Sequence, residues 1–206
     1  MDLDAYAFSK QPGFVEAEMR KRFKQAVPLR TVVVYCYDPR AVNIPHAVAK
    51  GMPGEVYPGD IVLDEQGRKI ASTTTIFPVV VAGGRAVDAL RSITVAQHLF
   101  GIENIVVVHH TYCGATTFTP EGLFNAFCDE HCVDISALYD RNNVAIADYE
   151  SSLKRDTRVV RKSKGTPKEV KIYGYLFNID TEELILIAED IPTQGRKYDN
   201  DPGENQ

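Results

Sequence analysis

The sequence predicts an α/β protein: a mainly parallel central β-sheet flanked by helices, with a C-terminal hairpin. Three observations carry that prediction. The β-branched runs 31–35 and 104–108 have the nearly continuous apolar character of strands buried on both faces. Val79-Val80-Val81 is followed by Val87, Leu90, Ile93, Ala96 and Phe100 at helical spacing and then by the run 104–108, so strand, helix and strand form a crossover expected to be right-handed. Near the end, 170–176 and 183–187 are strand-like runs on either side of Asp180-Thr181, the pattern of a hairpin.

The elements follow in chain order. Residues 1–27 form an N-terminal segment in which Val15, Met19 and Phe23 keep helical spacing, and Pro28 marks the stop before the first strand. Such a helix can pack on its own core or on a second subunit, and the residues alone do not choose. After the first strand, Ile61-Val62-Leu63, the polar turn 64–67 and the run from Ile70 suggest a hairpin-like excursion. Val79-Val80-Val81 then enters the sheet. Gly101 is a natural C-cap for the helix ending at Phe100. Thr119-Pro120-Glu121 pairs an N-cap residue with proline at the first helical position, opening a helix through Leu123, Phe124 and Phe127 towards Cys132. Residues 134–168 are polar and basic, with weaker helical signals. Residues 28–192 form the main domain, and 193–206, rich in Gly, Pro, Asn and Asp, read as a flexible tail.

With 206 residues, 44% hydrophobic and 25% charged, the chain has the composition of one soluble globular domain with a substantial core. A formal charge of −5 lacks the basic footprint of a nucleic-acid binder. No apolar run approaches the roughly 20 residues that span a bilayer. Met1-Asp2-Leu3-Asp4 has neither the basic nor the apolar region of a signal peptide. The expectation is a cytoplasmic protein, without membrane or nucleic-acid partners, whose four cysteines are thiols or ligands rather than disulfides.

Three residues concentrate the chemistry. Cys36 closes the first buried run, and His110 and Cys113 follow the second. In parallel sheets, ligands bind in the loops after the carboxyl ends of the strands, so these side chains should converge at one sheet edge. Two thiolates and one imidazole suit Zn²⁺, and three protein ligands leave a fourth position open, which implies catalysis more than scaffolding. The competing reading of Cys36 is core filling, since free cysteine packs as a small hydrophobe. His109 points to the opposite side of its strand from His110 and reads as a packed or outer residue rather than a ligand. Cys128, His131 and Cys132 share a helix face but lack a fourth ligand and a usual zinc spacing, so they read as core or interface residues.

Cys36-Tyr37-Asp38-Pro39-Arg40 followed by His110-Thr111-Tyr112-Cys113-Gly114 resembles the β-class carbonic anhydrases. The glycine turn Ala82-Gly83-Gly84-Arg85 and the following Asp88-Ala89-Leu90-Arg91-Ser92 resemble the same family. His109-His110-Thr111 and Thr117-Phe118-Thr119 are similar to its small microbial and fungal branch, which includes carbonyl sulfide hydrolases. The resemblance implies that fold across roughly residues 30 to 190, one zinc per chain and a homodimer or dimer-based oligomer. It also implies hydroxide addition, at the metal, to carbonyl sulfide or CO₂. Asp38 and Arg40 are then the catalytic pair: Asp38 accepts a hydrogen bond from the nucleophile, and Arg40 clamps Asp38 off the metal. The bland alternative is a surface ion pair worth little. Gly83 and Gly84 are expected to bring backbone N–H groups beside the metal, within reach of a substrate or product oxygen.

The chain departs from the family pattern around the pocket. Val80-Val81 stand where many relatives have Arg-Asn, Tyr112 replaces an aspartate, and the connection from Asp60 to Val79 is longer. An apolar rim and an extra loop favour carbonyl sulfide over the more water-like CO₂. Two other readings compete: a carbonic anhydrase acting on CO₂, and a silent zinc protein with Asp38 as fourth ligand. Thiol redox chemistry through Cys36 or Cys113 lacks a C-x-x-C pair and is the weakest.

Overall fold

The computed structural model describes residues 2–192, so the expected tail 193–206 lies outside the described residues. The central sheet is built from β1 (Thr31–Cys36), β4 (Ile76–Val81), β5 (Asn104–His110), β6 (Lys171–Phe177) and β7 (Leu184–Asp190), in the order β4-β1-β5-β6-β7. The first four are mutually parallel and β7 closes antiparallel on β6. Every residue of β1 and β5 is buried, which explains their lack of polar alternation. The excursion after the first strand is a separate two-stranded hairpin, β2 (Ile61–Leu63) with β3 (Lys69–Ser72).

Alternate residues of each strand feed two cores. Val32, Val34, Ile105, Val107 and Ile172 pack with α3 (Leu90–Phe100) and with Leu153 and Val160 of α6 (Tyr149–Lys162). Val33, Tyr35, Val106, Val108 and Phe177 pack on the other face with Ile44 and Val48 of α2 (Ile44–Gly51). His109 continues the odd-numbered side of β5 and reaches α6, whereas His110 is left for the strand end. α3 ends as expected with Gly101 in the left-handed conformation. Thr119 caps α4 (Pro120–His131), its hydroxyl accepting from the Gly122 N–H at 3.0 Å.

α6 is the strongest departure from the weak helical signal of 134–168. It runs 14 residues, capped by Asp148, and its buried stripe includes Ser152, Asp156 and Thr157 beside Leu153 and Val160. Polar residues on the inner face hid the helical period. The N-terminal helix α1 (Glu16–Ala26) packs on its own chain: the Phe23 ring lies 5.9 Å from those of Phe100 and Phe8. Leu3, Tyr6, Phe14 and Val15 nevertheless stay exposed. No helix among the described residues is long and apolar enough to cross a membrane.

Candidate metal centre

The two buried strands deliver the donors. Cys36 ends β1, His110 ends β5, and Cys113 sits in the loop after β5. The two sulfurs are 3.9 Å apart, and with a ring nitrogen of His110 all three donor atoms lie within 4.8 Å of one another. All three residues are buried, and this is the one such group among the described residues. His110 Nδ1 lies 2.9 Å from the Thr111 carbonyl oxygen, to which only a protonated nitrogen can donate. Nε2 is therefore the lone-pair nitrogen, and it is buried with no partner. An orphaned acceptor beside two sulfurs fits a borderline-soft divalent metal ion.

The local field favours one thiolate already. The Cys36 thiol is held down chiefly by its hydrogen bond with Cys113, against the opposing effect of burial. His110 and the backbone N–H groups of Asp38 and Gly83 add to the lowering. Cys113, the other half of the pair, is pushed up first by Cys36 and then by burial. The glycine turn supplies part of this. Gly83 and Gly84 both have positive φ, 62° and 67°. A side chain on Gly84 would meet the Val108 carbonyl oxygen at 2.5 Å, so the turn seats directly on β1 and β5 as only glycine can.

Asp38 and Arg40 form a two-pronged pair. Arg40 Nε donates to Oδ1 at 3.0 Å and Nη2 to Oδ2 at 2.7 Å, while the Arg40 backbone N–H donates to Oδ1 at 2.9 Å. Those Arg40 hydrogen bonds hold the Asp38 carboxyl well below the usual carboxylate range. Asp38 Oδ2 lies 4.0 Å from His110 Nε2, at the edge of the donor cluster. Arg40 Nη2 also donates to the Tyr112 carbonyl oxygen at 3.0 Å. Tyr112 has φ +55°, uncommon for a bulky residue, in the loop that joins the candidate donors His110 and Cys113.

A cavity of about 820 Å³ opens here, lined by Cys36, Asp38, Gly83 and Cys113 and by an apolar wall of Phe118, Leu123, Phe127, Ile135, Leu138 and Val144. The apolar character expected of Val80-Val81 thus comes from elsewhere. Val80 is exposed on the edge strand β4, Val81 packs into the core beside α3, and neither lines the cavity. The β2–β3 hairpin, which accounts for the long connection, does not line it either. Cys128 on α4 and Cys132 at its C-cap are exposed, so they are not core residues, and they join no metal-ligand group among the described residues.

Sequence reasoning passed over two residues beside the site. Tyr149, at the start of α6, accepts the Cys113 backbone N–H at 3.5 Å through its hydroxyl. Arg85 lines the cavity and is buried against Asp156 of α6. The available signal was the spacing of Ser152, Asp156 and Val160, four residues apart on one helix face.

No family model matches the chain. It is 29% identical over 97 residues to β-carbonic anhydrase 1 of Mycobacterium bovis, covering 47% of this chain and 57% of that one. It is likewise 29% identical over 126 residues to the carbon disulfide hydrolase of an Acidianus strain, covering 50% of this chain and 61% of that enzyme. The chain thus spans little more than half the length of the curated relatives it matches. The solved carbonic anhydrase of Streptococcus mutans superposes with a TM-score of 0.58 at 25% identity, over 78% of this chain and 82% of that one. The chain is therefore similar in sequence to β-class carbonic anhydrases and to a carbon disulfide hydrolase, and it has the β-carbonic anhydrase fold.

Proposed function

We propose that the chain is a zinc enzyme, one ion per chain held by Cys36, His110 and Cys113, acting on a small linear substrate: carbonyl sulfide, CO₂ or both. The observation that carries this reading is a buried three-donor cluster opening, beside a clamped carboxylate, into a largely apolar cavity. Three protein donors are the number that leaves a catalytic zinc an open position. Bound zinc would supply Lewis acidity, making water nucleophilic near neutral pH and stabilising charge on the adduct.

The protein's own groups do the rest. Asp38 stays ionised and presents Oδ2 to accept a hydrogen bond from the attacking water, fixing its lone pair towards substrate. Arg40 engages both oxygens of Asp38 and is itself tied to Tyr112, which holds the carboxylate away from the donor cluster. That geometry speaks against the silent alternative, in which Asp38 becomes a fourth ligand. Gly83 borders the reacting space from the turn, whereas Gly84 does not line the cavity and packs on β1 and β5 instead. The apolar wall excludes water and gives sulfur room, which favours carbonyl sulfide, whose hydrolysis yields CO₂ and hydrogen sulfide. CO₂ would give bicarbonate.

The test is stopped-flow CO₂ hydration beside hydrogen sulfide release from carbonyl sulfide on one zinc-loaded sample. Sulfide release is expected, with CO₂ hydration the weaker activity. Efficient hydration without sulfide release would make the protein a carbonic anhydrase, and neither activity would leave the silent reading standing.

A dimer through residues 1–27 is part of the same proposal, because the exposed Leu3, Tyr6, Phe14 and Val15 exceed what a solvated extension needs. Deleting 1–27 should give monomeric or insoluble protein by light scattering. Phe23→Ala alone should cost stability, by less than the roughly 1.5–3 kcal/mol that full burial of such a side chain is worth, because Phe23 is only partly buried against Phe100. A soluble, active dimer from the shortened chain would contradict the proposal.

A further inference from the structure

Asp156 of α6 has no solvent exposure, and its carboxylate gathers donors from two distant segments. Arg85 Nε lies 2.9 Å from Oδ2 and Arg85 Nη2 3.1 Å from Oδ1. The Ala86 backbone N–H donates to Oδ2 at 3.3 Å, and His109 Nε2 donates to it at 3.2 Å. Arg85 also donates to the carbonyl oxygens of Ala145, at 2.7 Å, and Asn142, at 3.2 Å. One buried ion pair therefore ties together the glycine turn, the end of β5, helix α6 and the cavity wall around α5 (Arg141–Val144).

Stability alone is a poor reason for such a pair, because desolvation of both charges offsets most of their attraction. Its position gives a better one. Arg85 directly follows Gly83-Gly84, and its Cγ lies 3.5 Å from where a side chain on Gly83 would begin. The turn seats on the strand end that carries Cys36: a side chain on Gly84 would meet the Cys36 backbone nitrogen at 3.2 Å, and Gly83 lines the cavity beside Cys36. The Gly83 N–H is among the groups that hold the Cys36 thiol down. Asp156 grips both the side chain of Arg85 and the backbone N–H of the next residue, so the turn cannot lift from Cys36 without breaking buried charge-assisted bonds. On β5 the same carboxylate holds His109, the neighbour of His110.

We propose that Asp156 is a positioning residue for the metal centre. Through Arg85 and Ala86 it keeps the glycine turn seated on Cys36, and through His109 it steadies the strand end that presents His110. The inference rests on the metal reading above. A purely structural pair would affect stability only. A positioning pair sets the energy of the sulfur lone pairs, which an N–H donor lowers. Losing that donor should shift thiolate-to-metal charge-transfer absorption to longer wavelength and weaken metal binding.

The probe is Co²⁺ bound to the full-length protein, read by its thiolate charge-transfer band and by competition affinity. Absence of the band in the parent protein would defeat the metal reading itself, separately from this inference. Asp156→Asn keeps the shape and removes the charge; the band should move to longer wavelength and affinity should fall by about 10- to 100-fold. Arg85→Met combined with Asp156→Leu replaces the pair by apolar side chains, an exchange that buried ion pairs often tolerate. That variant should fold yet keep the displaced band. Glu55→Gln removes a buried carboxylate that accepts from Arg30 and Thr31 at the opposite end of β1, and should lower stability without moving the band. A parental band and affinity in either Asp156 variant would overturn the proposal. So would an equal shift in Glu55→Gln, or collapse of the apolar double variant, which would assign the pair to folding alone.

Discussion

Cys36→Ser is expected to lose most bound zinc while keeping the fold. Serine is nearly isosteric, but its hydroxyl remains protonated at neutral pH and is a poor partner for a borderline-soft cation. The environment that holds the Cys36 thiol down, through Cys113, His110 and two backbone N–H groups, stabilises a thiolate and has no equivalent use for an alcohol. The remaining two donors, His110 and Cys113, would bind too weakly to survive dialysis. Elemental analysis of the purified variant should therefore give a zinc content far below one per chain, with hydrolytic activity lost in step. Cys128→Ser supplies the contrast, since Cys128 is exposed on α4 away from the cluster, and should keep full occupancy. Full zinc retention in Cys36→Ser would mean that the ligand assignment is wrong.

That the candidate ligands stand out in the sequence at all has a simple cause. β1 and β5 are buried on both faces, so their β-branched runs are uninterrupted, and a cysteine or histidine ending such a run is conspicuous. The crossover from β4 through α3 passes over β1 and sets β5 on its other side, which brings Cys36 to His110 and Cys113. The closing hairpin was legible for a similar local reason: a short polar turn between two apolar runs.

What stayed hidden depends on partners distant in sequence. Asp156 in a basic, polar stretch looks solvated until Arg85, 71 residues earlier, is placed beside it. Val80-Val81 are expected at the cavity rim because they stand where many β-carbonic anhydrases have Arg-Asn. Strand alternation on an edge strand sends Val80 out to solvent instead, and α4 with the segment after it supplies the apolar surface. The N-terminal helix was ambiguous between its own core and a partner. Phe23 settles on Phe100 while other aromatic and aliphatic residues of the segment remain exposed, so composition alone could not divide them.

Arg40→Ala should leave zinc in place and still depress turnover by about 10- to 100-fold, the usual scale for removing a partner that orients a metal-site group. Arg40 contributes none of the three donors, so elemental analysis should be unchanged. What changes is Asp38. It loses both side-chain donors and keeps only the backbone N–H of residue 40, so Oδ2, now 4.0 Å from His110 Nε2, is free to rotate onto the metal position or away from the nucleophile. The pH response should change with it. Arg40 is the chief cause of the lowered Asp38 carboxyl, so its removal must raise that pKa. The ionised carboxylate is the useful form, present above the pKa and lost as pH falls through it. Activity in Arg40→Ala should therefore fail at a higher pH on the acid side than in the parent protein. Arg40→Lys should restore little, because an ammonium cannot engage both carboxylate oxygens and reach Tyr112 together. Near-normal rates in Arg40→Ala, with Asp38 unmoved in its crystal structure, would reduce the pair to a surface ion contact.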